Sequence, residues 1–276
     1  MKKSILILIM ALVPSLLMAQ AAGGTIARPA KKQSKMRFPK ENLSEAKKAI
    51  IDNILGNMIL VAGGTYTMGA TQEQASFASD DEYPAHQVTI ESFYICKYEV
   101  TQEEWEAVMG NNPSLVKGGK LPVENVSWED CQRFIKRLNT LTNGIFRLPT
   151  EAEWEFAARG GNYSRGYKYS GSNNIDEVAW YKENSDMTIH EVGTKLCNEI
   201  GIYDMSGNVW EWCQDWYKSN YYKYSPNNNP SGPNTASARI FRGGSYKNFQ
   251  TDCRLSNRNG FGQRGKDDNY GLRLAY

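Results

Sequence analysis

Apolar positions fall at helical spacing in four places along this chain. After Ser44, residues Ala46, Ile50 and Ile54 share one face, which predicts a helix through Leu55. Thr101, Ser127 and Thr150 each stand three residues before an acid (Glu104, Asp130, Glu153). In each pair the hydroxyl can accept from an orphan backbone N–H while the acid reaches back. Three short helices are therefore expected. The first buries Trp105, Val108 and Met109 and stops at Gly110. The second places Cys131, Phe134, Ile135 and Leu138 on one face, so Cys131 reads as a small buried hydrophobe. The third carries Trp154 and Ala158 and ends at Gly160. Met58 to Met68 reads as two strands joined in a hairpin at Gly63-Gly64, and Val88 to Tyr98 as one further strand. Beyond residue 160 the periodicity fades. Turn-forming sequences such as Ser172-Asn173-Asn174 and Asn227-Asn228-Asn229-Pro230 take over.

The start of the chain has a different pattern. Lys2 and Lys3 precede an apolar run from Ile5 to Leu17, too short for a comfortable membrane span. Ala19-Gln20-Ala21 then offers a small-x-small cleavage site, with a cut after Ala19 as the alternative. Residues 1–22 are thus expected to be a signal peptide, with 23–56 a basic linker and short helix and 57–276 one large domain. The mature protein is expected to be exported: periplasmic, on the cell surface or secreted. No membrane span is expected, and no Cys precedes Cys96 to carry a lipid anchor.

Composition narrows the chemistry. The formal net charge of +2 gives no global attraction to nucleic acid. The basic residues from Arg28 to Lys40 read as a solvated tail. Five cysteines leave at least one thiol unpaired within the chain. The only histidines are His86 and His190, and no H-E-x-x-H, C-x-x-C, G-x-S-x-G or phosphate-loop pattern occurs.

The densest stretch is Asp204 to Trp216. It carries three Trp within seven residues and does not read as a plain amphipathic helix or strand. Gly207 permits a tight turn. Asp204 and Glu211, with the carbonyls of Gly207 and Val209, could form an oxygen cage of the kind Ca²⁺ prefers. The plainer alternative is a Trp-rich core corner with solvated acids.

Gly207-Asn208-Val209-Trp210-Glu211-Trp212 resembles a signature of the formylglycine-generating enzyme (sulfatase-modifying factor) family. Further matches occur in one order: Gly63-Gly64-Thr65-Tyr66-Thr67-Met68-Gly69, Tyr98-Glu99-Val100-Thr101, Pro122 to Trp128, Arg147 to Glu155, Arg242-Gly243-Gly244-Ser245, and Gly271-Leu272-Arg273. The resemblance covers roughly residues 57 to 276. It implies an α+β fold related to C-type lectins, with sparse regular structure. It also implies a structural calcium site at Asp204, Gly207, Val209 and Glu211, with Asn174 and Asp186 in a second.

The family's enzyme oxidises a substrate cysteine with O₂ and Cu(I) held by two cysteines. Soft thiolates select Cu(I). The first of those positions, three residues after Ser245, is Asn248 here; Cys253 stands at the second. Copper is therefore not expected, although Cys213 is a conceivable second thiolate. The expected function is a non-catalytic domain binding an extended peptide or an envelope protein, with a glycan as a further candidate. Asn248, Arg258 and Trp210 are the expected ligand-contacting residues. They belong to a C-terminal stretch rich in amides and aromatics, which also holds Phe249 and Asn269, and to the Trp-rich segment. The alternative is a copper-dependent oxidase converting a sulfatase cysteine to formylglycine, with Cys253 and Ser245 as its catalytic residues. An accessory part of a secretion or surface machine is a third reading. Trp216, Tyr217, Tyr221, Tyr222 and Tyr224 form either a stacking wall or a flank of the core.

Overall fold

The computed structural model describes residues 43–276. The expected signal peptide and all of the basic linker up to residue 42 lie outside the described residues. The helix α1 (Glu45–Gly56) begins at Ser44, whose hydroxyl accepts from the Lys47 N–H, and it buries Ile51 and Ile54.

The hairpin expectation is corrected. The strands β1 (Met58–Val61) and β2 (Gly64–Met68) both form, but they do not pair with each other. Nor is Val88–Tyr98 one strand: β3 (His86–Ile90) and β4 (Phe93–Cys96) flank a break at Glu91-Ser92. The partners are β1 with β4 and β2 with β3, both antiparallel. Val61 faces Phe93 and Gly64 faces Ile90, so the register runs on through the break. The two glycines mark a bend in a long ribbon, where Gly63 N–H donates to the Ser92 hydroxyl at 2.9 Å. A Cβ on Gly63 would stand 2.6 Å from the Ile90 carbonyl oxygen.

Three helices form as their capping boxes predict: α2 (Gln102–Met109), α3 (Trp128–Thr142) and α4 (Glu151–Ala158), each with both halves of its box made. Gly110 takes the left-handed conformation that closes α2. Cys131, Phe134, Ile135 and Leu138 are all buried. The short α5 (Ile175–Val178) comes next.

The rest of the chain contains a sheet that the polar pattern conceals. The strands β5 (Trp210–Trp216), β6 (Arg239–Arg242), β7 (Arg258–Phe261) and β8 (Tyr270–Leu272) form it in the order β7-β6-β5-β8. The Trp-rich stretch is therefore a strand after all, at an interior position, parallel to β8 and antiparallel to β6. Its residues 210 to 213 are buried without alternation, as in strands covered on both faces. The Trp212 indole N–H donates to the Val126 carbonyl at 3.0 Å, so its polar tip is satisfied inside the core.

Arginines brace this loop-rich fold from within. Arg242, Arg254 and Arg273 are among the largest fully buried side chains. Arg242 donates to the carbonyls of Leu255 and Ser256, Arg254 to those of Phe77 and Thr251, and Arg273 to those of Cys96 and Tyr203. The segment 274–276 is stitched to β4 and to Arg147 by main-chain bonds of 2.8–3.1 Å. Among the described residues no helix is long and apolar enough to cross a membrane.

Candidate functional site

Strand β6 runs into Gly243 and Gly244, both at positive φ. A Cβ on Gly244 would stand 2.7 Å from the Cys253 sulfur, so this turn admits only glycine without a shift. The turn delivers Ser245 into a buried position. The Ser245 hydroxyl donates to Asn248 Oδ1 at 2.5 Å and accepts from Asn269 Nδ2 at 2.9 Å. Asn248 Nδ2 in turn donates to Asp252 Oδ2 at 3.2 Å. Ser245 and Asn248 are thus brought together, with the Asn248 carboxamide held on both sides. Asn269 Oδ1 is buried without a hydrogen-bond partner.

Half-exposed groups border this core. Phe249 is 51% exposed, and Lys182 Nζ sits 4.0 Å from its ring centroid. Lys247 pairs with Asp268. Phe249 and Asn269 lie in the amide-rich C-terminal stretch. Lys182 carries no signal in the sequence, because its approach depends on a loop packing against residue 248.

The stretch leading into β5 forms a second centre. Asp204 and Asn208 both take left-handed backbone, and Gly207 has φ +84. A Cβ on Gly207 would stand 2.2 Å from the Trp180 carbonyl oxygen. Glu211 is fully buried, accepting from Arg273 Nη2 at 2.6 Å and from the Trp154 indole N–H at 2.7 Å. Glu99 accepts from Asn208 Nδ2 and Val209 N–H, and Asp204 from Gly193 N–H at 2.7 Å. Burial, then the charges of Asp204 and Glu211, push the Glu99 carboxyl well up; burial pushes Asp204 to about 6. Three buried carboxylates thus face one guanidinium.

The sequence profile described as "Sulfatase-modifying factor enzyme 1-like domain" matches residues 42–276. The chain belongs to this family. It is 34% identical over 269 residues to the Chaperone protein LppX of Paenibacillus barcinonensis, covering 79% of this chain and 89% of that one. It is 33% identical over 191 residues to the Formylglycine-generating enzyme of Streptomyces coelicolor, covering 62% of this chain and 57% of the enzyme. Among solved structures, Treponema denticola variable protein 1 superposes with a TM-score of 0.71 at 32% identity, over 79% of this chain and 94% of that one. The α+β architecture with few regular elements is that of the family.

Set against the family's copper chemistry, the donors here do not fit. Cys253 is fully buried among Tyr169, Ile175, Val178, Ala179 and Tyr181. Burial pushes its thiol well above the usual range, so it stays protonated. Cys213 packs in a different cluster, with Met205 and Leu255, and Cys96 and Cys131 in a third. One neutral thiol and one carboxamide are not the two thiolates Cu(I) selects.

The expected calcium set matches in donor type alone. Asp204 and Glu211 are hard oxygen donors, but both Glu211 oxygens already accept from Arg273, so an ion here would have to share that carboxylate with the guanidinium. Among the described residues no three or more His, Cys, Asp or Glu converge as a metal cluster. A site here must therefore draw on main-chain carbonyls, the role expected of Gly207 and Val209. Glu99 and Arg273 also belong to this centre. The sequence places both in family-like motifs but gives neither a role there. Asn174 is exposed and caps α5 through its Oδ1, while Asp186 is exposed with left-handed backbone.

Two expected contact residues are corrected. Arg258 is only 4% exposed; its Nε and Nη2 each donate to Glu151 at 2.7 Å. A buried arginine so committed braces the fold and presents no charge to a ligand. Trp210 is likewise 4% exposed and packs edge-on against Phe241 at 4.7 Å. Of the aromatic cluster, Tyr221 and Tyr222 are buried, while Tyr224 is 51% exposed, so it is mainly a flank of the core.

Proposed function

We propose that this domain is a non-catalytic binding module of its family, exported and stiffened by calcium. It holds an extended peptide or envelope partner on the face around Asn248. The observation that carries the reading is the Ser245–Asn248 hydrogen bond at 2.5 Å. It fills the first copper-cysteine position with a locked carboxamide beside a buried, neutral Cys253. Around it, Phe249 and Lys182 offer an aromatic anchor with an adjustable charge, a mixture suited to recognition. A relative named as a chaperone is in keeping with binding rather than oxidation. Calcium would draw on Asp204 and Glu211 with the carbonyls of Gly207 and Val209, and would rigidify the approach to β5 rather than act on a substrate.

The competing reading, a copper-dependent oxidase acting on a sulfatase cysteine, is favoured by one observation: Cys253 stands at the family's second cysteine position. Mass spectrometry separates the two. A Cys-x-Pro-x-Arg peptide is incubated with the purified protein, Cu(I), O₂ and a thiol reductant. The expected result is an unchanged peptide, with Ca²⁺ raising the melting temperature and Asp204→Ala removing that rise. Conversion of the cysteine to an aldehyde, abolished by Cys253→Ala, would overturn the binding reading.

A further inference from the structure

The bend at Glu91-Ser92 forms one wall of a cleft of about 280 Å³. Arg147, with Thr150 and Glu153 at the start of α4, and Asn229 and Tyr276 complete its lining. None of these residues belongs to the face around Asn248, so the chemistry of the cleft is independent of the function proposed above.

The charged and amide groups of this cleft are of two kinds. Arg147 and Glu153 satisfy each other, Nη1 to Oε2 at 2.6 Å and Nη2 to Oε1 at 2.7 Å, which fixes them and leaves the pair neutral. Glu91 and Asn229 are exposed and are not tied to another side chain in this way. Asn229 Oδ1 accepts from the Glu91 backbone N–H at 2.9 Å, which aims the residue. Its NH₂ group has no protein partner among the described residues, and neither has the Glu91 carboxylate. The cleft thus presents the Glu91 carboxylate as an acceptor and the Asn229 NH₂ as a donor, with the hydroxyls of Ser92 and Thr150 also in its lining. Tyr276 is 39% exposed, with its ring propped edge-on against Phe146 at 5.1 Å.

We propose that this cleft binds one ring of a neutral sugar. The donor and acceptor inventory selects among ligands. A primary ammonium offers donors only and would leave the Asn229 amide unpaired. A phosphate or carboxylate offers acceptors only and would be repelled by Glu91. Two neighbouring hydroxyls satisfy both groups at once, one donating to Glu91 and the other accepting from Asn229. The exposed Tyr276 ring covers the apolar face that a pyranose presents. Ligand clefts typically run from about 300 to 1,000 Å³, so this one takes a single ring rather than a long chain.

The test is saturation-transfer NMR on the purified protein with the methyl glycosides of glucose, galactose, mannose and N-acetylglucosamine, each titrated to tens of millimolar. At least one is expected to bind saturably. Glu91→Ala, which removes a side chain with no partner, and Asn229→Asp, which keeps the Oδ1 acceptor but loses the NH₂, should each weaken binding about tenfold with unchanged melting temperature. Failure of all four sugars to bind overturns the proposal. So does binding that both variants leave untouched, or Nα-acetyl-lysine amide occupying the cleft in place of the sugars.

Discussion

Arg254 and Glu82 meet in a two-pronged ion pair, Nη2 to Oε1 at 2.7 Å and Nη1 to Oε2 at 2.9 Å, with both side chains sealed from solvent. The pair ties the turn at residues 80–82 to the segment after Cys253. Burial alone would raise the Glu82 carboxyl, but Arg254 and the Ser256 hydroxyl outweigh it and hold it below its ordinary value. Glu82→Gln leaves a buried guanidinium unpaired and should cost about 3–5 kcal/mol in urea unfolding. Because the folded-state value is lowered, the pair's contribution is fully present above the ordinary carboxylate range. It is lost as pH falls through the lower folded-state value. Acid unfolding of Glu82→Gln should be correspondingly shallower.

Glu104 behaves in the opposite sense. Burial lifts its carboxyl from 4.5 to about 7, although it accepts from the Thr101 N–H at 2.9 Å. Between those values the folded protein holds a proton that the unfolded chain releases. Stability should therefore fall as pH rises from 4.5 to 7, on the order of 3 kcal/mol over the interval. Glu104→Gln keeps the capping box without the charge and should flatten that slope in denaturant titrations at several pH values.

Gly207 cannot take a side chain. Its positive φ and the 2.2 Å approach of the Trp180 carbonyl oxygen both exclude a Cβ. Gly207→Ala should destabilise by on the order of 3 kcal/mol. Gly262→Ala is the control, since nothing lies within 4 Å of its Cβ position, and it should stay within about 0.5 kcal/mol. Equal effects in thermal unfolding would show that the turn is not so constrained.

All five cysteines are free, and four are buried; only Cys197 is half-buried. Under native conditions a thiol reagent should titrate about one cysteine per chain, and Cys197→Ser should abolish that reaction. All five should react once the protein is unfolded. Rapid native labelling of Cys253 would contradict its placement in the core.

The helices were legible because their signals are local. Thr101, Ser127 and Thr150 each find their acid three residues on, and no distant contact is needed to complete the cap. The ribbon was only half legible: two glycines mark a turn or a bend alike, and the pairing of Gly64 with Ile90 across an intervening loop is invisible locally. Strand β5 was hidden because burial on both faces erases the alternation by which strands are recognised. Arg258 was misplaced for a related reason. A lone arginine in a polar stretch belongs by default at the surface, and its partner Glu151 lies in a distant helix. At the site, Ser245 and Asn248 were found through the family's spacing. Lys182 was not, since no motif carries it there.

The buried arginines have a consequence for how this surface can change over generations. Arg242, Arg254, Arg258 and Arg273 grip the loops by their main-chain carbonyls, from the inner side. A carbonyl is present whatever side chain its residue bears. Replacing an outward-facing residue on such a loop leaves the grip intact, and exposed substitutions of this kind typically shift stability by no more than about 0.5 kcal/mol. The protein can therefore accumulate new surface chemistry one residue at a time without losing its fold along the way.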